Sequence, residues 1–278
     1  MIERIAYAGW RDCVRLANGR IEAVVTTEVG PRIIRFGAVG GRNLLHEVPG
    51  HLGRTGGSEW RSFGGHRLWH APEAKPRTYG PDNDPVRCEL GEERVSLVQA
   101  VEASTGIRKA MEIRLDPEAD RMQVAHRLTN LNPWPVELAP WAITMMAAGG
   151  VAIVPQEPFA PHPDHLEGPE AARGRASYLP ARSLALWSYT RLDDPRWVFR
   201  DRCILVKQDP AAAAPMKFGA GNRQGWCGYF LAGEMLLKRF PWIPGARYPD
   251  EGCNNEIYVD ADMLELESLG PLASLPPG

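Results

Sequence analysis

Apolar and polar residues take turns at every second position along several stretches of this chain, the period of a strand with one buried face. From Ile107 to Leu115 the inward set is Ile107, Met111, Ile113 and Leu115 with Lys109 among them, and Arg108, Glu112 and Arg114 face out. Val95 to Ala103 reads as the strand before it and Met122 to Leu128 as the strand after it. The apolar face of that last strand is Met122, Val124, His126 and Leu128, which puts His126 on the buried side. Nearer the start, Ile21 to Thr27 is rich in β-branched residues, Val29-Gly30-Pro31 is a turn signal, and Arg32 to Phe36 returns as a paired strand. Trp141 to Ala147 and Val151 to Val154 flank Gly149-Gly150 and predict a hairpin, as do Trp226 to Leu231 and Glu234 to Phe240 about Ala232-Gly233. Cys203 to Lys207 is a further strand, and Asp262 to Glu267 is the last, with Met263, Glu265 and Glu267 on one face and Leu264 and Leu266 on the other.

Twenty-eight glycines and 25 prolines punctuate these runs, which suits short strands and turns rather than long helices. Residues 74–87 read as an exposed loop, and residues 155–182 hold at most one short helix near Pro169 to Arg175. No repeat, low-complexity tract or linker divides the 278 residues, so the reading is a single all-β domain over 1–278. A net charge of −2 without any Lys/Arg block argues against nucleic acid and anionic membrane as partners. No apolar run reaches the roughly 20 residues that span a bilayer. The opening Met1-Ile2-Glu3-Arg4 has no basic region leading into an apolar one, and five scattered cysteines without a C-x-x-C fit reduced thiols; a cytoplasmic location is expected. His162 and His165 sit in a Pro-His-Pro-Asp-His run, but two prolines and no nearby cysteine argue against a metal, and no cofactor is expected.

Candidate chemistry concentrates between Trp60 and Glu73, in Trp-Arg-Ser-Phe-Gly-Gly-His-Arg-Leu-Trp-His-Ala-Pro-Glu. Gly64-Gly65 allows backbone shapes that a Cβ forbids, so functional groups can crowd around it. A tryptophan face beside fixed charged donors and acceptors suits a sugar, whose C–H faces pack on the ring while its hydroxyls bond to Arg67 and Glu73. On this reading His66, Arg67, His70 and Glu73 converge on one pocket alongside Trp141 and a terminal-strand glutamate. The competing reading is a core-edge loop whose charges face water. Glu265 and Glu267, two apart on one strand face with Cα atoms about 7 Å apart, would form an acid/base pair if they faced a cleft.

Further motifs are Ala8-Gly9-Trp10, Val29-Gly30-Pro31-Arg32, Gly64 to Trp69, Ala139-Pro140-Trp141, Lys217-Phe218-Gly219, Gly225-Trp226 and Leu264 to Leu272. Together they resemble the galactose-mutarotase-like superfamily and, within it, a family of the DUF4380 type. The resemblance implies a large antiparallel β-sandwich, a supersandwich with little helix, and a sugar-binding cleft on one concave face. It implies a small-molecule carbohydrate as ligand and an epimerase or mutarotase chemistry, in which a late glutamate is the base and a histidine the acid. Glu267 or Glu265 then qualifies as base, His66 or His70 as acid, and Arg67, Trp69, Glu73, His126, Trp141, Lys217 and Trp226 as substrate contacts. The chain departs from the mutarotase pattern at Trp141, which stands where the catalytic histidine is expected and carries only an indole N–H. That departure keeps two other readings open: a carbohydrate-binding protein without catalysis, and a glycosidase- or lyase-type enzyme.

Overall fold

The computed structural model describes residues 1–165 and 178–278, and the short helix expected near Pro169 to Arg175 lies outside the described residues. The described chain is an antiparallel β-sandwich. An eleven-stranded sheet runs β1 (Ile2–Tyr7), β2 (Trp10–Ala17), β3 (Ile21–Thr26), β4 (Arg32–Ala38), β5 (His66–Ala71), β10 (Val136–Met146), β19 (Leu264–Leu269), β18 (Asn255–Val259), β15 (Met216–Ala220) and β12 (Leu184–Leu186), with β20 (Ala273–Leu275) paired to the start of β10. Two smaller sheets accompany it: β6 to β9 (Arg87–Leu90, Arg94–Val98, Ile107–Leu115, Met122–Asn130), and a five-stranded sheet of β13 (Trp197–Phe199), β14 (Cys203–Lys207), β11 (Val151–Pro155), β16 (Trp226–Leu231) and β17 (Glu234–Arg239). All five cysteines are free, and no helix among the described residues is long and apolar enough to cross a membrane.

Alternation decides which side of the large sheet is core. Val14, Leu16, Ala23, Val25, Ile33, Leu68, Leu264 and Leu266 pack against residues of both smaller sheets in one continuous core. On the other side of the sheet Trp69 of β5 and Trp141, Ile143 and Met145 of β10 form a second cluster with Met263. The strand pair Ile21–Thr26 with Arg32–Ala38 forms as expected, and so does the hairpin about Ala232-Gly233, whose φ values of 48° and 90° close Leu231 onto Glu234. Ala8-Gly9, at φ 48° and 97°, makes a matching tight turn between β1 and β2, a pair the hydrophobic pattern left unread.

The hairpin expected about Gly149-Gly150 does not form. Strand β10 belongs to the large sheet and β11 to the five-stranded one, so the chain crosses between layers there. Tyr229 holds the crossing: its hydroxyl donates to Ala147 O at 2.5 Å and accepts from Gly150 N at 2.9 Å. A Cβ at Gly150 would lie 2.4 Å from the Tyr229 ring, so this glycine serves close packing between sheets.

Residues 64 and 65 carry the chain into β5. Gly64 and Gly65 have φ of 100° and 74°, and a Cβ at Gly65 would sit 2.2 Å from the carbonyl oxygen of Ile33. Arg32, fully buried, donates to Ser62 O and Gly64 O at 2.9 and 2.5 Å and holds the turn from beneath. Gly65→Ala is therefore expected to lower stability by at least about 2 kcal/mol, from left-handed backbone strain plus the clash. A urea midpoint equal to that of the parent protein would refute this account of the turn.

Candidate functional site

Five neighbouring strands of the large sheet turn their non-core residues to one side: Arg67 and Trp69 from β5, Trp141, Ile143 and Met145 from β10, Glu265 from β19, Tyr258 from β18 and Lys217 from β15. With loop residues they line a cavity of about 410 Å³. Its walls are aromatic. The rings of Trp69 and Trp141 meet edge to face at 5.3 Å, and Tyr79 lies 5.0 Å from Trp69 and 5.4 Å from Trp60. His46, Glu73, Tyr189, Asp260 and Asp262 are the remaining titratable groups of the lining.

Charge enters in a fixed order across the floor. Arg67 Nη2 reaches Glu265 Oε1 at 3.2 Å, and its guanidinium lies 4.6 Å from the Trp69 ring centroid. Lys217 Nζ lies 2.8 Å from Glu256 Oε2 and 3.0 Å from Glu267 Oε2, and 4.6 Å from the Trp141 ring. Trp141 Nε1 donates to the same Glu267 Oε2 at 2.7 Å. Glu256 and Glu267 are cross-strand partners and both are 0% exposed, so three carboxylates share two cations in a poorly solvated place.

That imbalance falls on protonation. Burial pushes the Glu265 carboxyl up to about 7; Arg67 opposes the rise and Glu267 adds to it. Burial likewise raises Glu256 well above the carboxylate range, with Lys217 opposing and Glu267 and Asp250 adding. His46 is lowered by burial, with Asp262 and Asp260 partly restoring it. A carboxyl poised near neutrality and a largely neutral imidazole in one aromatic cavity form a set able to take and give protons at pH 7.

The sequence-selected residues do not all arrive here. Arg67, Trp69, Glu73, Trp141, Lys217 and Glu265 line the cavity, and Glu267 lies in its floor behind Trp141 and Lys217. Glu73 is at the exposed rim, where it accepts the Tyr79 hydroxyl rather than pairing with Arg67. His66 and His70, at even positions of a strand whose odd positions face the cavity, point to its opposite side. His66 Nε2 lies 2.8 Å from His126 Nε2 and its Nδ1 2.8 Å from Thr144 Oγ1, between sheets. Burial lowers both imidazoles, His126 to about 4, and Lys238 lowers them further. His70 lies beside Glu102 and Arg77. Trp226 is on β16 of the five-stranded sheet, away from the cavity lining. The expected convergence of His66, Arg67, His70 and Glu73 is thus divided by the two-residue period of β5.

Six titratable lining residues were not among the sequence candidates, namely His46, Tyr79, Tyr189, Tyr258, Asp260 and Asp262, and Glu256 joins them in the floor. Glu256-Ile257-Tyr258-Val259 alternates as a strand does, with Ile257 and Val259 in the core, and is the signal that could have found two of them.

No family model matches the chain, and no curated protein matches it. Solved structures do. One is a TPR-domain containing protein from Parabacteroides distasonis, with a TM-score of 0.60 and 12% identity over 96% of this chain. This chain spans only 45% of that protein's length. A candidate aldose 1-epimerase from Escherichia coli K12 has a TM-score of 0.51 at 12% identity, covering 95% of this chain and 94% of its own. A galactose mutarotase-like protein from Lactobacillus casei has a TM-score of 0.50 at 11% identity, covering 96% and 90%. At these identities the likeness shows the fold, which is galactose mutarotase-like.

Proposed function

We propose that the cavity binds a small carbohydrate and that Glu265 makes the protein an aldose 1-epimerase-type isomerase. The observation that carries the reading is a buried carboxyl, held near neutrality, in a cavity walled by tryptophan and tyrosine. In the reaction Glu265 takes the proton of the anomeric hydroxyl, a carbonyl forms at that carbon, and the ring C–O bond breaks. The ring oxygen receives the electron pair together with a proton from a water molecule, which is restored by the proton that Glu265 took, while the neutral imidazole of His46, the histidine among the described lining residues, donates an N–H hydrogen bond to that oxygen. Reclosure on the other face of the carbonyl gives the second anomer. Glu267 has the positioning role: its carboxylate holds the Trp141 indole and the Lys217 ammonium in place as cavity wall. The resemblance to the DUF4380 type rests on the sequence motifs and is part of the same proposal.

Anomer exchange of a panel of free aldoses, followed by polarimetry or NMR, tests this. The expected result is interconversion faster than in buffer for at least one sugar. A binding function without catalysis is the second reading, favoured by His66 and His70 facing away from the cavity. It predicts saturable sugar binding by calorimetry with exchange no faster than buffer, and that result would remove the isomerase assignment. Cleavage of polymers fits less well with a cavity of about 410 Å³, a size suited to a small molecule.

A further inference from the structure

We propose that a second cavity, on the opposite side of β5 from the first, binds a small organic carboxylate through Arg77. The cavity has a volume of about 480 Å³. Arg77, Ser104, Thr105 and Asn132 supply its polar edge, and Trp134 and Leu138 are among its apolar walls.

Its chemistry starts from a chain of contacts beneath it. Lys109 Nζ lies 2.5 Å from Glu102 Oε1, and the other carboxylate oxygen accepts from Thr105 Oγ1 at 2.7 Å and faces His70 Nε2 at 3.4 Å. Arg77 Nη1 lies 3.1 Å from His70 Nδ1, and its Nη2 donates to the carbonyl of Pro72. A guanidinium only donates. Nδ1 is therefore the bare nitrogen of His70, the proton is on Nε2, and that N–H points to Glu102.

Charge is then left over. Burial, together with Lys109 and Arg77, keeps His70 below its ordinary value and hence neutral. Glu102 is held down at about 2 by His70 and Lys109 against the upward pull of burial, so it is a carboxylate. Lys109 and Arg77 give two positive charges against one negative, and Lys109 already satisfies Glu102. Among the described residues Arg77 has no carboxylate partner within an ion-pair distance. A half-buried guanidinium facing a cavity, with donors left free, is matched by a planar anion that it can hold bidentately. The apolar walls call for an organic body on that anion, and Trp134, 60% exposed, offers a ring for it to pack on.

Calorimetric titration of the full chain with benzoate, benzamide and inorganic phosphate, at constant ionic strength, tests the assignment. Benzoate is expected to bind saturably, and its neutral isostere and the apolar-free anion each at least about tenfold more weakly, the worth of one charge-assisted hydrogen bond. Arg77→Met is expected to lose at least about tenfold in benzoate affinity, and Trp134→Ala, an exposed change that spares folding, several-fold. Amide shifts at Arg77, Thr105 and Asn132, rather than at Glu265, are expected to report the site. No saturation by benzoate, equal binding of benzamide, tighter binding of phosphate, or full affinity in Trp134→Ala would each overturn the proposal. If Arg77→Met fails to fold, the benzamide comparison and Trp134→Ala still decide it.

Discussion

Glu265→Gln is expected to leave a folded protein that still binds sugar but exchanges anomers about 10²–10⁴-fold more slowly, the usual worth of a positioned base. Glutamine keeps the shape and can accept from Arg67, but it cannot take a proton. The pH dependence follows from the same group. A base must be ionised, and burial holds Glu265 at about 7, so the rate should rise with pH through about 7 and level off above it. Arg67 is the cation that opposes the shift, so Arg67→Ala should carry the rising limb to higher pH. The stability sign is the reverse of the rate sign. A carboxyl whose folded value is raised contributes stability fully present below its unfolded value, about 4.3, and lost as pH rises through about 7. Glu265→Gln should therefore be no less stable than the parent at pH 8, where the parent holds an ionised buried carboxylate. Polarimetry and urea melts across pH 5–9 check both. A rate limb that stays at the same pH in Arg67→Ala would separate the titration from Glu265.

How much of this was legible depends on the length of chain over which the alternation ran. The strands Ile107–Leu115, Met122–Asn130 and Leu264–Leu269 carry long clean patterns, and their faces came out as the pattern said, including Lys109 and His126 inward. The central strand His66–Ala71 is buried at all six positions, so no polar face marks its period, and its charged residues read as a convergent cluster. Had that stretch been read as a strand, the two-residue period alone would have sent His66 and His70 to one side and Arg67 and Trp69 to the other. The crossing at Gly149-Gly150 was hidden for another reason. A glycine pair between two apolar runs signals a turn, but which sheet the second run joins is set by Tyr229, about 80 residues away. Long-range partners of the same kind supply His46 and Asp260, which reach the cavity from loops with no pattern of their own.

Lys217→Met is expected to lower stability at pH 8 by about 3–5 kcal/mol, the range for removing one partner from a buried ion pair. The methionine nearly fills the space of the lysine stem, so the loss is chiefly one of charge. Without the ammonium, Glu256 and Glu267 face each other across paired strands, both 0% exposed, with the Trp141 indole holding only one of their four oxygens. Burial already raises Glu256 well above the carboxylate range with Lys217 opposing it, so loss of Lys217 raises it further. A raised carboxyl gives stability that is complete below its unfolded value and lost as pH climbs through its folded value. The deficit of Lys217→Met relative to the parent should accordingly be smaller at pH 5, where Glu256 stays protonated at little cost, than at pH 8. Adding Glu256→Gln should recover part of the loss at pH 8, a coupling that a double-mutant cycle reads directly. If the urea midpoint falls by the same amount at both pH values and Glu256→Gln restores nothing, Lys217 acts by packing on Trp141 and Trp187, which lie 4.6 and 4.7 Å from its ammonium, and not by holding the carboxylates together.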